Sequence, residues 1–157
     1  MNKIETTAEA YESTAIPRCN AAIVVDGAAP TVEQKPLPEA VMEQGDKSPA
    51  EWAYERLILY IQTFEEQLDS DHEVGMGIAG ADVGAVHIQG IGFFAPDMVT
   101  FYGTDDRGSK MQLVQHVNQL NVMLIASPKA ETEARRIGFS MVKQLEKQVK
   151  EATIAKK

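Results

Sequence analysis

Two stretches of the chain carry apolar residues at the spacing of a helix face. In the first, they recur every three or four positions, at Ala53, Leu57, Ile61, Phe64 and Leu68. Ser48, Pro49 and Glu51 ahead of them form a capping box with proline at the first helical position. The pattern predicts a helix over residues 49–68. The acidic cluster at 69–73 should end it, because negative charge at a helix C-terminus opposes the macrodipole. The acidic residues expected on its solvent side are Glu51, Glu55, Glu65 and Glu66.

The second helical stretch lies near the C-terminus. Its apolar face consists of Ala134, Ile137, Met141, Leu145, Val149 and Ala152. Its basic face consists of Arg135, Arg136, Lys143, Lys147 and Lys150. Ser127 and Pro128 repeat the cap-plus-proline signal of the first helix, so we expect an amphipathic helix over residues 129–153.

Between these stretches the sequence changes to β-branched, aromatic and glycine-rich segments. It predicts five strands, over residues 74–79, 84–94, 98–104, 109–116 and 120–126. The connections are too short for parallel crossovers, and the polar turn at 105–108 is typical of a hairpin. The expected fold class is therefore α+β, with an N-terminal helix, a meander or small barrel of about five antiparallel strands, and a C-terminal amphipathic helix.

By composition the chain divides into two parts. Residues 1–47 keep no helical or strand period and are punctuated by prolines, so we expect a disordered or loosely docked tail ahead of a single domain at 48–157. The apolar segment 15–25 either lies loosely on the domain or adds as a strand to a partner's sheet. Cys19 is the one cysteine, which excludes an intramolecular disulfide and a cysteine-based zinc cage and favours a free thiol.

The net charge of the chain limits the classes of partner that it can bind. The chain has 15 basic and 23 acidic residues, a net charge of −8 and a pI near 4.9. Its net charge is −4 over residues 1–47, −8 over 48–128 and +4 over 129–157. An acidic chain argues against general nucleic-acid binding, which depends on lysine and arginine at the phosphates. The basic helix face is then a solvated surface, a docking site for an acidic zone of this or another copy, or a local anion or RNA contact.

No stretch of the sequence predicts a membrane span or a secretory leader. The least polar long stretch, 74–99, is interrupted by Asp82, His87, Pro96 and Asp97, whereas a membrane helix needs about 20 continuous apolar residues. The first 15 residues carry three glutamates and no apolar core. We therefore expect a cytoplasmic protein.

One motif matches a dinucleotide fingerprint in its letters alone. Gly75, Gly77 and Gly80 fit G-x-G-x-x-G, and Asp97 follows at a suitable distance. The fingerprint needs a buried strand before it and a helix opening from it, yet an acidic cluster precedes it and further glycines follow. We expect these glycines instead to permit bends, bulges or close backbone approach in curved strands.

The sequence offers few groups for catalysis. The histidines His72, His87 and His116 follow no metal-ligand spacing, and no serine stands in a nucleophile motif. We assign no catalytic residue, metal or cofactor, and expect His87 and His116 at half-buried strand positions. The candidate pocket or partner residues are Asp97, Tyr102, His87, His116, Asn118, Arg135 and Arg136.

Three segments carry a resemblance to a known family. They are residues 48–55 (SPAEWAYE), 96–103 (PDMVTFYG) and 113–122 (LVQHVNQLNV). Over about 48–145 the chain resembles a family of small bacterial proteins of unknown function. The resemblance implies a bacterial, soluble protein and brings no activity with it.

A second resemblance is to the Sm-like (Lsm and Hfq) fold, an N-terminal helix and five bent strands that form RNA-binding rings. Ile91, Phe94 and Met98 fall where that family's second and third strands carry apolar residues. The Asp and Asn that the family uses near its RNA-binding loop fall on Ala95 and Val99 in this register. This argues against RNA binding through that pocket.

The sequence leaves three functional hypotheses open. The first is a non-catalytic interaction or assembly module that self-associates or holds a protein partner, because an apolar β region stands beside complementary charge zones. The second is an Sm-like RNA-binding ring. The third is a small-molecule binder or enzyme that uses His87, His116 and Asp97.

Overall fold

The computed structural model describes residues 47–80, 82 and 84–155. Residues 1–46, which make up nearly all of the predicted tail and include Cys19 and the apolar segment 15–25, lie outside this part of the chain. The elements predicted from the sequence all fall within the described residues.

The first helix, α1, spans Pro49–Glu65. It begins as predicted: the Ser48 hydroxyl oxygen accepts a hydrogen bond from the Glu51 backbone N–H at 3.2 Å. It ends three residues early, because the N–H groups of Gln67 and Leu68 bond the carbonyls three residues back in a tighter turn. Its buried apolar residues are Ala50, Tyr54, Ile58, Leu59 and Ile61.

Two glutamates of α1 are buried, so their predicted place on the solvent side is wrong. Glu55 is 1 % exposed and accepts a hydrogen bond from Lys47 Nζ at 2.8 Å. Burial raises the pKa of Glu55, against the opposing effect of the Lys47 ammonium. Glu65 is 5 % exposed and caps the N-terminus of the second helix, as described below.

Five strands follow α1 and form one sheet in the order β4-β3-β2-β1-β5. They are β1 (His72–Ile78), β2 (Val86–Phe94), β3 (Met98–Thr104), β4 (Lys110–His116) and β5 (Val122–Pro128). Each neighbouring pair is antiparallel, and the sheet curls into a half-barrel. The predicted α+β fold class is confirmed, and each strand begins and ends within two residues of its predicted limits.

The second helix, α2, spans Ile137–Ala155, so its predicted start at 129 is wrong. Ser127 and Pro128 do not cap it, because they are the last residues of β5 and pair with Glu73 and His72. Pairing with β1 overrides the local cap signal, and proline is tolerated at the end of an edge strand. The chain from 129 to 136 is irregular, so Arg135 and Arg136 precede the helix.

A carboxylate from α1 caps α2. The two oxygens of Glu65 accept hydrogen bonds from the backbone N–H groups of Gly138 at 2.9 Å and Phe139 at 3.1 Å. Negative charge at a helix N-terminus is also favoured by the macrodipole. Gly138 makes the contact possible, since a Cβ there would lie 2.8 Å from the Gln62 Cα.

The core lies between the two helices and the inner face of the half-barrel. Its most buried members are Ala50, Ile58, Ile61, Val74, Met76, Ile88, Val99, Phe101, Leu145 and Val149. In β2 the register with β3 shifts between Ile88 and Gly90. This bulge brings Ile91, rather than Gly90, to the inner face beside Phe101.

We expect Glu65→Ala to lower the free energy of unfolding by about 1–2 kcal/mol, because it leaves two N–H groups of the first turn of α2 without their acceptor. Urea unfolding followed by circular dichroism measures the change. Glu146→Ala, at an exposed position of α2, is the matched control and should stay within about 0.5 kcal/mol of the parent chain. Equal losses in the two variants would contradict the capping role.

Candidate functional site

The half-barrel ends in two edge strands. Among the residues that the structure describes, β4 pairs only with β3, and β5 pairs only with β1. Each edge strand is seven residues long, so each presents one side of its backbone without a strand partner. Unpaired N–H and C=O groups in such a row are a template for a further strand.

The side chains of the two edges carry little charge. β5 (VMLIASP) has no charged residue, and β4 (KMQLVQH) has one permanent charge, at Lys110. Soluble proteins usually protect long edge strands with charges, prolines or bulges. Here Lys110 at the start of β4 and Pro128 at the end of β5 provide such protection, and the middle of each strand has none.

Apolar residues reach the rim of the sheet on both of its faces. The half-buried residues on the inner face of the two edges are Met111, Leu113, Val122 and Leu124. On the outer face, Val114 of β4 is 53 % exposed and Met123 of β5 is 51 % exposed. Each edge therefore carries apolar side chains on both faces of the sheet, and β5 carries more of them than β4.

The glycines of the G-x-G-x-x-G match belong to β1 and the turn after it. On the outer face, a Cβ on Gly75 would overlap the Ser127 hydroxyl, and one on Gly77 would lie 3.0 Å from the Ile125 Cδ1. Gly80 has a φ of 81° in the turn. The motif permits close approach of β5 side chains to β1, which is the role that the sequence predicts for these glycines.

An ion-pair cluster lies at one end of the outer face. Glu73 Oε1 lies 3.4 Å from His87 Nδ1, and His87 Nε2 lies 3.0 Å from Asp106 Oδ1. The Arg135 backbone N–H donates to Glu73 Oε2 at 3.1 Å, and its guanidinium donates to Oε1 at 3.2 Å. The cluster joins β1, β2, the β3–β4 turn and the segment before α2.

The carboxylate of Glu73 is the centre of this cluster and is 1 % exposed. Burial raises the pKa of Glu73, but hydrogen bonds from Arg135 and the charges of Arg135 and His87 outweigh burial and hold this pKa below its ordinary value. Both ring nitrogens of His87 face carboxylates, and the buried Nδ1 makes no hydrogen bond within the described part of the chain.

His116 and Asp97, which the sequence analysis grouped, do come together. His116 Nε2 lies 3.1 Å from Asp97 Oδ2, and His116 Nδ1 accepts a hydrogen bond from the Asn118 backbone N–H at 3.1 Å. Because Nδ1 accepts, a neutral ring carries its proton on Nε2 and donates it to Asp97. Asn118 belongs to a 3₁₀ turn, Val117–Gln119, which connects β4 to β5. These contacts therefore hold the start of that connection against Asp97.

His87 does not join His116 and Asp97. His87 pairs with Thr104 at one end of β3, and His116 pairs with Met98 at the other. At about 3.3 Å per residue these ends are about 20 Å apart. The three side chains that the third hypothesis combines therefore form two separate clusters. Among the described residues no group of three histidine, cysteine or acidic side chains could hold a metal.

Arg135 and Arg136 face inward instead of forming the predicted basic face of the helix. Arg136 donates to the carbonyls of His72 at 3.0 Å and Asp69 at 2.8 Å, while Arg135 binds Glu73. Both arginines therefore hold the segment that precedes α2 against the start of β1. The exposed basic residues of α2 are Lys143, Lys147 and Lys150.

Tyr102 lies on the outer face and is 44 % exposed. Its ring covers Gly90 and Gly92 of the neighbouring strand, with ring atoms 3.6 Å from where each Cβ would be. Its hydroxyl accepts a hydrogen bond from Thr100 at 3.2 Å. The ring replaces the side chains that the glycines lack.

The comparisons with known proteins find a family and no activity. Residues 46–140 match a family of unknown function, DUF6173. No curated protein and no solved structure matches the chain. The resemblance to a family of unknown function is confirmed, whereas nothing found here supports the Sm-like one. None of the helices in the described part of the chain is long and apolar enough to cross a membrane.

We expect Glu73→Gln to lower the free energy of unfolding by about 1–3 kcal/mol at pH 7, because it removes the charge that Arg135 and His87 face. The folded-state pKa of Glu73 is depressed, so its stabilisation is present above the unfolded-state pKa and is lost as pH falls through the folded-state pKa. Chemical unfolding between pH 7 and pH 3 should therefore show the difference shrinking.

Asp71→Asn is the matched control for this measurement, since Asp71 forms an exposed ion pair with Lys129. Exposed pairs contribute little, so its effect should stay below about 1 kcal/mol. A Glu73→Gln difference that remains constant from pH 7 to pH 3 would contradict the assignment.

Proposed function

The chain belongs to the DUF6173 family of unknown function, and from its own geometry we propose that it is a non-catalytic interaction and assembly module whose copies join through the free edges of β4 and β5. The observation that carries the proposal is that β5 has no charged residue and that, among the described residues, neither β5 nor β4 has a strand on its outer side. Such an edge is a template for a further strand.

The two edges complement each other in their side chains. β4 of one copy can lie antiparallel to β5 of the next with Leu113 opposite Leu124 on the inner face. In that register Val114 lies opposite Met123 on the outer face. Apolar residues thus contact apolar residues on both sides of the new strand pair, which is the arrangement that stabilises sheets.

Charge favours the same pairing. Because β5 has no charged residue and the permanent charge of β4 lies at its first residue, the middle of the interface buries no ion. The desolvation cost that opposes many polar interfaces is therefore small.

The pairing of one edge with the other is heterologous, so it repeats. A repeating contact closes into a ring when the rotation between copies allows it, and otherwise extends into a filament. The copy number is the quantity that solution measurements must supply.

We expect Met123→Lys to weaken self-association at least about tenfold, because it places a charge at the outer rim of β5. Size-exclusion chromatography with light scattering, at several micromolar concentrations of the full chain, measures the mass. Val114→Lys should do the same from the β4 side. Both side chains are about half exposed, so the circular dichroism spectrum should stay that of the parent.

Ile154→Lys is the control, since Ile154 is a 73 % exposed apolar residue on α2. It should leave the mass unchanged. A parent chain that is strictly monomeric at these concentrations, with no partner recovered on the immobilised domain, would refute the proposal. A ring of six or seven copies with salt-sensitive oligonucleotide binding would support the Sm-like alternative instead.

A further inference from the structure

His87 lies between two carboxylates that differ in their exposure to solvent. Its Nδ1 lies 3.4 Å from Oε1 of Glu73 on β1, and its Nε2 lies 3.0 Å from Oδ1 of Asp106 in the turn between β3 and β4. The Glu73 side chain is 1 % exposed, whereas the Asp106 side chain is 72 % exposed. The ring therefore connects a buried charge in the sheet to an exposed charge in a turn.

The charges around this ring balance only when the ring is positive. Glu73 comes from β1, Asp106 comes from the β3–β4 turn, and the guanidinium of Arg135, from the segment before α2, lies 3.2 Å from Glu73 Oε1. Thr104, the partner of His87 on β3, is uncharged. Together these groups leave one negative charge uncompensated, which an imidazolium neutralises and a neutral ring does not.

The hydrogen-bonding capacity of the ring leads to the same conclusion. An imidazolium has a proton on each nitrogen, so it presents one donor to each carboxylate. A neutral ring has a proton on only one nitrogen, so the lone pair of the other faces a carboxylate oxygen. Nδ1 is buried and makes no hydrogen bond within the described residues, so a lone pair there is not relieved by another protein donor. At low local dielectric this arrangement is repulsive.

The exposure of the two carboxylates decides which contact a neutral ring keeps. Glu73 depends on donors within the protein, because a buried charge without partners is costly. Asp106 can exchange its contact with the ring for water at little cost, because exposed ion pairs contribute little. The proton of a neutral His87 is therefore expected on Nδ1, toward Glu73, and the lone pair of Nε2 then repels Asp106.

The contact between Asp106 and His87 also connects the β3–β4 turn to β2. By contrast, the hydrogen bonds of the Asp105 carboxylate stay within the turn and its end, where Oδ1 accepts from the backbone N–H groups of Arg107 at 2.9 Å and Ser109 at 2.8 Å. Loss of the contact with Asp106 would therefore leave the turn itself intact and free it from the neighbouring strand.

We propose that His87 is a proton-dependent latch: the imidazolium holds the β3–β4 turn against β2, and loss of the Nε2 proton releases Asp106 while Glu73 keeps its contact. An ordinary histidine changes its charge between about pH 5 and pH 8, so the latch responds to pH near neutrality. The inference does not depend on assembly through the sheet edges, because every group in the latch belongs to one copy.

The test is an NMR titration of the isotope-labelled full chain between about pH 9 and pH 5, read on the His87 ring nitrogens and on the backbone amides of Arg107 and Gly108. We expect both ring nitrogens to be protonated on the acid side and Nδ1 alone on the alkaline side. The two amide signals should shift together with the ring. In Asp106→Asn, at an exposed position, the amide shifts that accompany the His87 titration should be lost.

The second histidine–aspartate pair supplies the controls. The Nδ1 of His116 accepts from the Asn118 backbone N–H, so its neutral ring should show the opposite tautomer, with the proton on Nε2. Asp97→Asn removes the carboxylate beside that ring and should leave the titration of the β3–β4 turn unchanged. A neutral His87 protonated on Nε2, turn amides that do not follow the ring, or amide shifts that persist in Asp106→Asn would overturn the proposal.

Discussion

Two buried carboxylates, those of Glu65 and Glu73, determine where α2 can lie. A buried carboxylate is costly unless donors surround it. Here the donors are the backbone N–H groups of Arg135, Gly138 and Phe139 and the guanidinium of Arg135. The chain at 135–139 is thereby held against the end of α1 and the start of β1. The position of the helical layer over the sheet depends on this contact, and Gly138 lets the two helices approach closely enough to make it.

The same placement explains why one side of the sheet remains open. α1 packs on β1, β2 and β3, and α2 packs on α1 and β2, so the helices cover mainly the middle of the inner face. The inner residues Met111, Leu113, Val122 and Leu124 of the edge strands are consequently only half-buried. Their partial exposure follows from the position of the two helices over the middle strands.

Local periodicity was enough to predict most of the fold. The cap at Ser48, the five strands and the antiparallel order all follow from spacing and short connections. The start of α2 did not, because Ser127 pairs with Glu73 in the sheet and the acceptor that caps the helix is Glu65, far away in sequence. Of the candidate site residues, His87, His116 and Asp97 were named together without any spacing that joins them, and the partners of His87 come from two other elements. The uncharged run of β5 was visible in the sequence, yet its meaning depends on its position at an edge.

The cap on α2 also has a consequence for how the chain folds. Glu65 and Gly138 are separated by 73 residues, and the position just before α2 is Arg136, which is a poor N-cap. The N–H groups of Gly138 and Phe139 therefore gain their acceptor only when α1 and α2 are in contact. The cap of this helix is thus a contact of long sequence separation. Fraying of the last turn of α1 must loosen the first turn of α2 at the same moment, so the two helix ends behave as one cooperative unit.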